Sequence, residues 1–105
     1  MHTLTLTGLT QADGAQTFTL RANNKFTRHQ LHIEVSAQPA GGTLAISVKS
    51  PGASVASTLS STVDMTAITA TNAEIVDIDV AAEEITITPT LFDADKTYNA
   101  ILVSR

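Results

Sequence analysis

Three histidines and ten Asp or Glu residues are the side chains of this 105-residue chain best equipped for chemistry. His29 and His32 lie three apart. That spacing serves a metal on a helix, but on a strand it sends the two rings to opposite faces. His32 and Glu34 do share a strand face, and the distant His2 is the residue that would have to complete the set. No metal site is therefore expected. With Arg21, Lys25 and Arg28 close by in sequence, the histidines read instead as part of a modest basic patch for an acidic partner.

The carboxylates come in two close pairs. Asp77 and Asp79 fall on one outward strand face, and Asp93 and Asp95 fall in a loop. Such pairs can bind calcium or share acid and base roles. A calcium loop opening at Asp93 would need Gly at its sixth position and an acid at its twelfth, where Tyr98 and Ser104 stand. An Asx turn at Asp93 and a solvated face at Asp77 are the simpler expectation. No nucleophile elbow, phosphate loop or dinucleotide fingerprint occurs, and no Cys is present. The chain is expected to be no enzyme and to use no cofactor.

Charge and composition narrow the partners. A formal net charge of -4 argues against a nucleic-acid binder, and no apolar run is long enough to cross a membrane as a helix. Residues 1–10 have neither a basic region nor a continuous apolar stretch, so a signal peptide is not expected. Three Phe, one Tyr and no Trp leave little for stacking on bases or sugars.

The elements that must position these groups are strands. Leu4 and Leu6, Phe18 and Leu20, Leu31 to Val35, Leu44 to Val48, Val76 to Val80, Ile85 and Ile87, and the run from Thr97 to Val103 all alternate apolar with polar residues. Asp13-Gly14, Asn23-Asn24, Gly41-Gly42 and Pro51-Gly52 supply turns between them. The expectation is one all-β domain over 1–105, an antiparallel β-sandwich of seven or eight strands, Ig-like or jelly-roll-like. Thr-x-Thr pieces recur without the fixed period of an ice-binding array, so Thr is read as filling wet strand faces.

Residues 50–72 depart from this texture. They are rich in Ser and Thr, and Val55, Leu59 and Val63 recur every four residues. One reading is two irregular strands with a turn; the other is an extended loop whose apolar residues pack on a neighbouring subunit. Charge is uneven as well: residues 1–50 balance to +2 and residues 51–105 to -6. That asymmetry favours head-to-tail docking unless antiparallel pairing mixes the two halves in space.

Long Thr-faced strands with only 15% charged residues guard their edges thinly, which points to a structural or interaction module rather than a catalyst. The segments Gly42–Ala53 (GTLAISVKSPGA) and Ala73–Arg105 carry a resemblance. The second of these contains EIVDIDV, ITITP and a closing strand with Tyr98. In texture they resemble the small all-β accessory virion proteins of tailed bacteriophages, particularly capsid decoration or cement proteins. The resemblance implies a virion protein made in the host cytoplasm that binds the major capsid protein or another virion protein and reinforces the shell. It also implies a homo-oligomer, with a trimer as one form. The expected contact regions are an N-terminal arm at residues 1–7, the basic group Arg21, Lys25 and Arg28, and the segment bearing Val55, Leu59 and Val63. The alternative is a tail- or fibre-associated module that recognises a host-surface glycan or another virion protein, with Tyr98 as its single candidate aromatic.

Overall fold

The computed structural model describes residues 1–21, 23–59 and 62–105. Seven strands coincide with the seven alternating runs: β1 (His2–Leu9), β2 (Gln16–Thr19), β3 (His29–Val35), β4 (Thr43–Lys49), β7 (Glu74–Ile78), β8 (Glu84–Thr90) and β9 (Tyr98–Ser104). Two more, β5 (Ser57–Thr58) and β6 (Val63–Asp64), are two residues each and lie in the Ser/Thr-rich segment. Both pair with the same edge of β4, β5 at Ser47 and Val48 and β6 at Thr43 and Leu44. They act as one interrupted edge strand, which matches the reading of two irregular strands.

All pairing is antiparallel, in two sheets. One has the order β1-β9-β3-β7, the other β2-β8-β4 with β5 and β6 along its edge. Successive strands β1, β2, β3 and β4 change sheet at every connection. This is the jelly-roll order, in which sequence neighbours face each other across the core and sheet neighbours are distant in sequence. An Ig-like order, with its hairpin-connected neighbours, does not occur among the described residues.

Period-two alternation makes the core. Leu31, Ile33, Leu44, Ile46, Ile85, Ile87, Ala100 and Leu102 are all essentially inaccessible to solvent. Apart from Ala100, these are β-branched or large aliphatic side chains, which fit the pleat and exclude water. Turn chemistry closes the ends. Asn23 adopts a left-handed backbone (φ 61°), and Gly42 sits at φ 120° with the Phe92 backbone so close that a Cβ would lie 2.8 Å from its Cα. Only glycine fits there.

Residues 1–7, expected to form an N-terminal arm, supply most of β1, which pairs with β9 from His2 opposite Ser104 to Leu6 opposite Ala100 and, past a register shift, at Leu9 opposite Tyr98. The alternating Thr and Leu that make it a good strand let it complete its own sheet.

Candidate functional site

The loops gather charge by ends of the sandwich, not by halves of the chain. One end holds the β2–β3, β4–β5 and β7–β8 connections and the two chain termini. It carries Arg21, Lys25, Arg28, Lys49 and Arg105 against Asp77, Asp79, Glu83 and Glu84. The opposite end carries Lys96 against Asp13, Glu34, Asp64, Glu74, Asp93 and Asp95. The balances are +1 and -5, and together they account for the whole -4. Antiparallel strands thus mix the two halves and still leave a polar molecule.

Arg21, Lys25 and Arg28 lie at the same end of the sandwich because the connection between β2 and β3 carries all three. Arg105 joins them: its amide donates to the Arg28 carbonyl at 2.9 Å, and its carbonyl accepts from Arg28 at 3.0 Å. None of the four has a carboxylate within 4.0 Å among the described residues, whereas Lys49 is held by Glu83 at 3.4 Å and Glu84 at 3.8 Å. Arg28 and Arg105 share a polar recess of about 280 Å³ with Asp77 and Asp79. Arg21 lines a second recess with His2 and Phe26, whose rings stack at 6.0 Å and 9°. Arg105 was missed in the sequence because β9 brings it there from the far end of the chain.

His29 borders the recess of Arg28 and Arg105 but offers it almost no surface. Its ring is 1% exposed. Burial lowers its pKa, against weaker opposing effects of the Val80 carbonyl and Asp79. Nε2 lies 3.1 Å from the Val80 carbonyl, which can only accept, so Nε2 carries the proton. Nδ1 then accepts from the Ser104 hydroxyl at 2.7 Å. The pair has nucleophile-and-base chemistry, but Ser104 is fully buried, so no substrate reaches it in this state. The missed signal was phase: His29 and Leu31, Ile33, Val35 share one strand face. His32 stays outward beside Glu34 at 3.6 Å, and no group of three His, Asp or Glu residues among the described residues is placed to hold a metal.

The apolar trio separates. Val55 is 75% exposed, Leu59 is half-buried against the core, and Val63 is part of the core. Val63 therefore leaves the set of partner contacts, because its strand pairs with β4 and turns it inward. Between β6 and the start of β7 runs a cleft of about 420 Å³ with Ile46, Val63 and Val76 on its walls and Asp64, Glu74 and Asp77 around it.

Tyr98 is likewise inward, 1% exposed, edge-on to Phe92 with ring centres 5.4 Å apart. Burial pushes its phenol up to about 12, and its hydroxyl has no partner among the described residues. It cannot serve as an exposed sugar platform. Asp93 performs a structural task, accepting from the Ala40 and Gly41 amides at 3.0 and 3.1 Å and from Lys96 Nζ at 2.9 Å. The Ala40 bond is the largest cause of its lowered pKa, and Lys96 adds to it. The expected Asx turn is thus a clamp between the β3–β4 and β8–β9 connections. Beside it, Leu91 stands 82% exposed in a left-handed backbone (φ 58°), an uncommon conformation for that residue type.

Fold and surface together define a jelly-roll module with charged ends. In comparisons of sequence, the chain matches no protein-family model and no curated protein.

Proposed function

We infer that the chain is a non-enzymatic structural protein that works by docking on other protein subunits. In the fuller reading it is a capsid decoration or cement protein of a tailed bacteriophage, bound to the major capsid protein or another virion protein. The observation that carries the docking is the group Arg21, Lys25, Arg28 and Arg105, four cations without an ion-pair partner among the described residues, at one end of an acidic molecule. Unpaired charge on an exposed end steers association with a surface of opposite sign. The exposed Val55, in the β4–β5 connection at the same end, adds apolar contact area, and Ile75 adds more on the outer sheet face. Jelly rolls build viral capsid domains, but also lectins and cupins, so the phage assignment rests on the sequence resemblance and not on the fold. The glycan-binding reading has less support, because Phe18, Phe92 and Tyr98 are buried and Phe26 is half-buried under His2.

Immunogold electron microscopy of particles from a source lysate, with an antibody to this chain, tests the reading. Label spread over heads is the expected result; label on tails transfers the protein to the alternative, and unlabelled particles refute both. Co-sedimentation with purified shells then tests the docking surface. Arg21→Glu, Lys25→Glu and Arg28→Glu combined should lower shell binding at least about tenfold while leaving the fold intact.

A further inference from the structure

The sheet edges are unequally guarded. β2 is four residues long, the β5–β6 edge is interrupted, and β7 has five residues that include Glu74 and Asp77. Short length, interruption and charge are the ordinary defences against edge-to-edge pairing. β1 has none of these three, only an irregularity between Leu6 and Leu9 where its register against β9 shifts: it has eight residues, His2–Leu9, without Lys, Arg, Asp, Glu or Pro, and His2–Leu6 pair in unbroken register. Among the described residues it pairs with β9 alone. Its inward-facing Leu4 and Leu6 pack on the core yet stay only half-buried.

We propose that β1 pairs antiparallel with β1 of a second copy of this chain, across a twofold axis at Thr5. This register sets Leu4 against Leu6 of the other copy twice over and Thr5 against its equivalent. It joins two four-stranded sheets into one of eight strands. A shift that centred the pair on Leu4 would leave a single leucine pair, Leu4 against its equivalent, with His2 against Leu6 twice over. The charge distribution selects the same arrangement independently. Antiparallel pairing lays the +1 end of each copy beside the -5 end of the other. Joining β1 to β7 of a neighbour by continuing the sheet would instead set the two -5 ends side by side. Like charges so placed repel, and opposite ones attract. The pairing goes beyond shell binding and does not depend on it, because it is read on the purified chain.

Sedimentation equilibrium of the full chain should give twice its 11.0 kDa. Thr5 is exposed on the outer face, so Thr5→Lys and Thr5→Glu keep the fold, as circular dichroism will show. Each alone places like charges directly opposite and should weaken the dimer at least about tenfold; an equimolar mixture of the two should restore it. Because the chain has no Cys, Thr5→Cys should oxidise to a single cross-linked dimer. A monomeric or trimeric native chain overturns the proposal. So does a dimer whose mass the lysine variant leaves unchanged, or a cysteine variant that does not cross-link.

Discussion

Across the outer face of the β2-β8-β4 sheet, Thr17, Thr86, Ser47 and Thr58 stand in one cross-strand row, with the Thr17 and Thr86 hydroxyls 2.9 Å apart. The corresponding row across the other sheet reads Thr5, Ile101, His32 and Ile75. Ile75 is 57% exposed there. Both sheets bury an aliphatic inner face, yet one is finished with hydroxyls and short or broken edges, and the other keeps an apolar outer residue and a long open edge. Hydroxyls satisfied by each other and by water make a stable solvent surface at little cost in β propensity. An exposed isoleucine on one edge strand and a long open edge at the other are what a contact surface retains. The difference teaches that the chain's low charge is not uniform economy; one sheet is finished for water, and the other is the one we propose to face protein.

The largest effects should fall where the sheets are alike. Leu31→Ala in one and Ile87→Ala in the other each delete a fully buried side chain, and each should cost about 2–5 kcal/mol in urea unfolding. Equal losses in one cooperative transition support a shared core. Separate transitions would break the comparison at its base, since the sheets would then be independent units.

Next comes one end of the β1-β9-β3-β7 sheet, where His29 is buried. Ser104→Ala removes the hydroxyl that donates to Nδ1 and should cost about 1–3 kcal/mol. The same group sets an acid response. A histidine kept neutral by burial binds fewer protons folded than unfolded, so its contribution is complete above the ordinary 6.5 and falls as the pH drops from there through the lowered folded value. The Asp93 clamp at the other end behaves differently. Its lowered carboxyl keeps its contribution above the ordinary 3.8 and loses it as the pH falls through the folded value. Urea midpoints measured against pH should therefore decline in two windows, and His29→Gln should flatten the upper one alone.

Much of this was legible in the sequence. Seven alternating runs became seven strands, because alternation is a local signal of a half-buried pleat. β5 and β6 were legible only as two irregular strands within residues 50–72 and not by their bounds, since two residues of Ser, Thr, Val or Asp carry no period. The jelly-roll order was beyond reach for a different reason: it joins β1 to β9 and β2 to β8, pairs that no local pattern links. The site divides in the same way. Arg21, Lys25 and Arg28 could be grouped because one connection holds them, whereas Arg105 arrives through the pairing of β9 with β3. His29 and Tyr98 were misplaced by residue type, although each lies in phase with buried neighbours on its strand. Phase was the stronger guide.

The smallest changes in stability give the sharpest contrast. Thr17→Val and Thr86→Val remove the hydroxyl pair from the water-facing sheet, and Ile75→Lys charges the other; all three positions are on outer faces, so unfolding free energies should stay within about 0.5 kcal/mol of the parent. Binding should separate them. The two valine variants should co-sediment with shells as the parent does, while Ile75→Lys should bind about tenfold more weakly, because a lysine in an apolar contact must be desolvated without a partner. If the valine changes weaken binding and the lysine does not, the water-facing and protein-facing assignments are reversed, and the hydroxyl row becomes the docking surface.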